Sequence, residues 1–95
     1  REWQPFHSPK NLSTSIAIEA AELMEVFQWL THAQSLNAVH DPDARQRVRE
    51  ELSDTIIYCL AMANAMDIDL SQAIREKMRA NRQKYPAETS RGRLG

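Results

Sequence analysis

Residues 55–66 read TIIYCLAMANAM, a run that is apolar nearly all the way round when wound as a helix. Just upstream, residues 41–46 read DPDARQ, a compact helix start. Asp41 suits the cap, Pro42 the first helical position, and the Asp43 carboxylate the positive end of the helix dipole. The two stretches belong to one helix, B, from Pro42 to about Met66. Its first half is amphipathic and its second half is not. A helix that faces water on one side keeps a polar stripe there, so the second half has to be surrounded. A chain of 95 residues with three main helices has little left to surround it with. A partner subunit is the expected cover.

Working outward, helix A is expected from about Leu12 to about Leu30, with Asn11 or Ser13 as its cap. Residues 31–40, THAQSLNAVH, have weak periodicity and read as a loop holding at most a helical turn. Asp69 offers a cap for helix C, which runs from about Leu70 to Tyr85, where Pro86 stops it. The opening, REWQPFHSPKN, packs two prolines and three aromatic residues, counting His7, into an extended arm over 1–11. The last ten residues, 86–95, read as a flexible tail. Two glycines in the whole chain, sparse valine and plentiful Ala, Leu, Glu, Arg and Met favour helix over strand. The expected fold is one all-α domain over 1–95, a helical bundle completed by oligomerisation.

The formal net charge of −1 gives no basic field for a nucleic acid polymer. The one cysteine, Cys59, cannot form an internal disulfide and sits in the apolar run as a small core residue. No apolar stretch approaches the roughly 20 residues of a membrane span. With no signal peptide evident and a start at Arg1 that reads as trimmed, the expected compartment is the cytoplasm.

Helices A and B carry acids where core residues belong. At about 100° per residue, Leu12, Ile16, Leu23, Phe27 and Leu30 form one stripe on helix A, and Glu19 falls inside it. Glu22 lies roughly 60° away, on the edge of the stripe, with Trp29 on the same side. On helix B the core stripe is Val48, Leu52, Thr55, Cys59, Ala63 and Met66, with Glu51, Asp54 and Tyr58 in a neighbouring row. On helix C, Leu70, Ile74, Met78 and Tyr85 form the stripe, Asn81 interrupts it and Lys77 flanks it. Antiparallel packing of A on B brings four carboxylates together, which raises their pKa values or calls for a cation. Oxygen ligands alone suit Mg²⁺ or Mn²⁺ rather than zinc. A di-iron bundle would need a Glu-x-x-His element, and none of His7, His32 and His40 lies three residues after a glutamate.

Each of these residues also has a plainer reading. A single Glu-x-x-Glu on a helix is usually a solvated face; the second acidic pair, Glu51 and Asp54, and the place of Glu19 inside the stripe count against that. Trp3 and Phe6 have a hydrophobic clasp on a neighbouring subunit as the lesser reading, and Trp29 fits a core role equally well. His7 alone is more often a surface or capping residue. Tyr58 and Tyr85 fit as amphipathic core residues, and Lys77 as a solvated charge.

EAAE at 19–22 followed by EELSD at 50–54 resembles the Glu-x-x-Glu…Glu-x-x-Asp signature of the MazG-like all-α nucleoside triphosphate pyrophosphohydrolases. REWQPFHSPKNL, ELMEVFQWL, EELSDTIIYCLA and KMRANRQKYP, in that order, are similar to the blocks of the dCTP pyrophosphatases within that superfamily. The signature alone is moderately specific, and the four blocks together, spanning Arg1 to Pro86, are highly specific. Ala20 and Ala21 stand where such proteins often have glycine.

The resemblance implies a helical dimer or pair of dimers and cleavage of a nucleoside triphosphate to monophosphate and pyrophosphate. It implies Glu19, Glu22, Glu51 and Asp54 as Mg²⁺ ligands and catalytic residues. It implies Trp3, Phe6, His7 and Trp29 as a base pocket, with Tyr58 against the sugar and Lys77, Asn81 and Tyr85 completing the nucleotide site. The expected substrate is dCTP or a related or modified pyrimidine dNTP. The alternatives are the same reaction on purine or non-canonical nucleotides, and a non-catalytic helical oligomerisation module.

Overall fold

The computed structural model describes residues 7–84, which form helices and no strand. The order is α1 (Pro9–Phe27), α2 (His32–Asn37), a single 3₁₀ turn (Ala38–His40), α3 (Pro42–Ala65) and α4 (Leu70–Lys84). The expected arm over 1–6 and the residues beyond Lys84, including Tyr85 and the tail, lie outside the described residues.

Each helix starts on a side-chain cap. α1 begins three residues before the expected Leu12, because Ser8, not Asn11 or Ser13, is the cap: its hydroxyl accepts from the Asn11 N–H at 3.2 Å and Pro9 takes the first position. α1 also ends three residues before the expected Leu30. Residues 31–40 are more helical than their periodicity suggests. Thr31 and Gln34 form a reciprocal capping box, each side chain accepting from the other's backbone N–H at 3.1 and 2.9 Å. α3 starts as expected, with Asp41 accepting from the Asp43 N–H at 3.0 Å. It ends in a Schellman turn: the Ile68 N–H reaches the Ala63 carbonyl and Asp67 takes the left-handed conformation, φ 55°. Asp69 then caps α4 through the Gln72 N–H at 3.1 Å, as expected.

α1 and α3 pack side by side and are the main tertiary contact of the described chain; α4 barely touches either. The buried and half-buried positions of α1 include Leu12, Ser15, Glu19, Glu22 and Val26, and those of α3 include Ala44, Val48, Glu51, Thr55, Tyr58 and Met62. Both series step by alternating threes and fours, the heptad spacing of two helices that share a straight seam. The expected stripes overlap this seam: Leu12 and Ala63 are buried, and Ile16, Glu19, Leu23 and Phe27 of α1 and Val48, Thr55 and Cys59 of α3 are half-buried. They differ at Val26, which is buried, and at Leu52, Leu30 and Met66, which are exposed, the last two just past the helix ends. Glu22 and Glu51 therefore lie on the seam itself and not beside it. Phe27 meets Val48 at one end and His7 meets Tyr58 at the other, so the helices run antiparallel.

Among the described residues only Leu12, Val26 and Ala63 are buried, and of these Leu12 alone is fully so. The apolar run of α3 is open along its outer face: Ile56, Ile57 and Leu60 are each at least half exposed. Among the described residues, α1 covers one face of α3 and the other face stays open. No helix among the described residues is long and apolar enough to cross a membrane.

Candidate functional site

The antiparallel seam brings Glu19 and Glu22 of α1 against Glu51 of α3. One carboxylate oxygen from each lies within 4.8 Å of the other two, and all three residues are half-buried. Three like charges this close repel, and the titration of two of them responds. Glu22 is raised above the ordinary carboxylate value, first by the charge of Glu51, then by burial. Glu51 is raised too, first by burial, then by its contact with Glu19. Its Oε1 is shut off from solvent and has no donor. A buried acceptor without a donor is costly and rare, so the seam is built to receive either protons or a cation.

The residues present fit a hard divalent cation. The ligands are oxygen only, they sit on two rigid helices, and the orphaned Glu51 oxygen would gain a partner. Asp54 departs from the expected four-acid group. It is exposed and outside the close trio, although its charge is felt at both Glu22 and Glu51. The reason is angular: three residues after Glu51, Asp54 is turned about 60° off the seam.

Beyond the trio, toward the start of α1, His7, Asn11, Thr14, Ser15 and Tyr58 line an open cavity of about 470 Å³. Sequence reasoning had placed His7 and Tyr58 in the nucleotide site, and the structure puts them on one cavity. It missed Asn11, Thr14 and Ser15. The readable signal was their register: Ser15 and Asn11 lie four and eight residues before Glu19, on the same face of α1.

A sequence model of the MazG-like family matches residues 14–93. The chain belongs to the MazG-like family. Its MazG-like relatives include the dCTP pyrophosphatase 1 of Rattus norvegicus, 42% identical over 92 residues that make up 97% of this chain and 54% of that protein. The dCTP pyrophosphatase 1 of Homo sapiens is 41% identical over 91 residues, 96% of this chain and 54% of that protein. The chain thus spans about half the length of the curated relatives it matches. A crystal structure of a pyrophosphatase from Archaeoglobus fulgidus superposes with a TM-score of 0.81 at 38% identity, covering 90% of this chain and 79% of that one.

Other residues expected in the MazG-like site are scattered. Trp29 lies in the turn after α1 and is 86% exposed, so it is neither core nor in the wall of the cavity. Lys77 is exposed and Asn81 half-buried on α4, and neither belongs to the trio or lines this cavity. Trp3, Phe6 and Tyr85 lie outside the described residues.

Proposed function

We propose that this chain hydrolyses deoxynucleoside triphosphates between the α- and β-phosphates, releasing a dNMP and pyrophosphate, with dCTP or a related pyrimidine nucleotide as substrate and Mg²⁺ as cofactor. Mn²⁺ fits the same oxygen ligands. The observation that carries the reading is the trio of seam carboxylates with one orphaned oxygen, in a MazG-like chain whose curated relatives are dCTP pyrophosphatases.

A triphosphate would be repelled by these acids alone. A divalent cation at Glu19, Glu22 and Glu51 supplies the charge neutralisation and Lewis acidity that make the site compatible with phosphate oxygens. Asp54, beside the trio, adds a further oxygen. One of the site carboxylates takes the proton from the attacking water; Glu22, at the edge of the expected stripe and beside Glu51, is the residue assigned to it. The water attacks the α-phosphorus in line, and pyrophosphate leaves with its charge met by Lys77 of α4. Tyr58 packs on the sugar, and His7, Trp3, Phe6 and Trp29 hold the base, with Asn81 and Tyr85 completing the pocket. Trp29 and Lys77 reach this site in a homo-oligomer, in which a second copy also covers the open face of α3. Neither a nucleic acid polymer nor a membrane takes part.

The test is a panel of canonical and modified dNTPs incubated with Mg²⁺, the products resolved into pyrophosphate and orthophosphate. Pyrophosphate release that is greatest for a pyrimidine dNTP supports the reading. Absence of turnover on every member overturns it.

A further inference from the structure

Three hydroxyl residues follow one another on α1, and only one of them is left for a ligand. Ser13 donates to the Lys10 carbonyl oxygen at 2.7 Å, and Thr14 donates to the same oxygen at 3.2 Å. Ser15 makes no hydrogen bond with any described residue, is half-buried and lines the cavity opposite Tyr58. A half-buried hydroxyl on the wall of an open cavity, with its neighbours' hydroxyls already turned back onto the helix, is available to an incoming polar group.

Its height on the helix says which group. Ser15 stands four residues before Glu19, about 6 Å along the axis. On the opposite wall Tyr58 stands seven residues, about 10 Å, beyond Glu51, and one turn beyond Asp54. The cavity therefore begins one helical turn from the carboxylates. Asn11 lies about one turn further on, and His7, just before the start of α1, lines the cavity beyond it. A nucleotide whose phosphates face the trio has its sugar next in line and its base beyond. The sugar thus lies at the level of Ser15 and Tyr58, and the base at the level of Asn11 and His7. On a deoxyribose the 3′-hydroxyl is the one free hydroxyl, able both to donate to and to accept from a serine.

We infer that Ser15 is a positioning residue whose hydroxyl bonds the sugar 3′-hydroxyl of the nucleotide while Tyr58 covers the opposite face of the ring. The inference rests on the proposed nucleotide hydrolysis and adds to it a residue that reads the sugar. The Tyr58 ring supplies a flat apolar surface for the sugar carbons, and Ser15 supplies the directional contact that fixes where the ring sits. Displacing the sugar would move the α-phosphorus relative to the trio, so the contact acts on turnover as well as on binding.

The experiment compares dCTP with 2′,3′-dideoxy-CTP on the full chain and on its Ser15→Ala and Ser15→Thr variants, reading kcat/KM for Mg²⁺-dependent pyrophosphate release. The unaltered chain should favour dCTP over the dideoxy compound by about fivefold to tenfold, the scale of one hydrogen bond. Ser15→Ala should lose that preference by falling on dCTP alone, and Ser15→Thr should retain it. An equal fall on both nucleotides in Ser15→Ala, or an undiminished preference for dCTP, overturns the inference. Circular dichroism and the Mg²⁺-induced rise in Tm show whether Ser15→Ala keeps its fold and its trio; should it lose them, Ser15→Cys decides by the same comparison. Failure of the underlying reading looks different: the unaltered chain would then release no pyrophosphate from dCTP at all.

Discussion

The carboxyl of Glu51 on α3 sits against that of Glu22 on α1, and its charge is the main reason Glu22 holds its proton above the ordinary carboxylate range. Burial does the same to Glu51. A carboxyl that binds its proton more tightly folded than unfolded favours the folded state while protonated. That contribution is whole below the ordinary value of 4.5 and is lost as the pH rises through the raised values. The metal-free protein should therefore gain from Glu51→Gln, which removes the repulsion at every pH. Melting of both proteins in a chelator should show little difference near about pH 4 and a widening advantage for Glu51→Gln toward about pH 7. A difference that does not change with pH would mean that the seam carboxylates are not in conflict.

Saturating Mg²⁺ should reverse that order, because a ligand that binds only the folded state raises its stability. The position of Asp54 off the seam makes the four acids unequal. Glu19→Gln, Glu22→Gln and Glu51→Gln should each abolish most of the Mg²⁺-induced rise in Tm. Asp54→Asn should keep most of it yet lose turnover by about a hundredfold, as expected for an outlying oxygen that helps hold the cation only when substrate is bound. Thermal melting across a Mg²⁺ titration, paired with pyrophosphate release, separates the two patterns. A Tm response in Asp54→Asn as poor as in Glu51→Gln would place Asp54 among the primary ligands.

The sequence carried the helices because their signals are local. Asp41, Pro42 and Asp69 act within one turn of themselves, and each marks its helix in the structure as in the text. The register of packing is another matter. Whether Leu23 or Val26 faces α3 depends on how the partner helix is rotated, and no residue of α1 encodes that alone. The expected stripe on α1 holds Glu19 and has Glu22 at its edge; the seam runs through both and also takes Ser15, with Ile16, Leu23 and Phe27 half-buried beside it. A bias toward bulk hid Ser15, a small polar residue one turn from the acids. Residues 31–37 were undervalued because hydrophobic periodicity was the guide there, while the Thr31–Gln34 capping box was the signal.

Trp29 tests the division between fold and function. A tryptophan in the core contributes several kcal/mol, but this one is 86% exposed in the described chain. Trp29→Ala should leave the stability of the isolated subunit within about 0.5 kcal/mol of its starting value. If the ring stacks on the base, nucleotide affinity should fall by about 1–3 kcal/mol, measured by calorimetry with a non-hydrolysable dCTP analogue and Mg²⁺. A large drop in Tm with undiminished affinity would assign the ring to a subunit interface and remove it from the nucleotide site.

The bare face of α3 gives the remaining prediction. Ile56, Ile57 and Leu60 are 50%, 58% and 53% exposed on the helix whose other face carries Glu51 and Tyr58. Contiguous apolar surface of this kind is uncommon on a monomer and usual where subunits meet. If a second copy covers it, folding and association are linked, and Tm should rise with protein concentration. A carboxylate introduced at the centre of the face, Ile57→Glu, would be buried unpaired in the oligomer and merely solvated in the monomer. The variant should run as a monomer in sedimentation, melt at a temperature independent of concentration, and lose turnover if α3 must be held from both sides to keep Glu51 on the seam. Ile57→Leu, which keeps the apolar surface, should behave as the unaltered chain does. A monomeric unaltered chain with full activity would show that one face of α3 is enough.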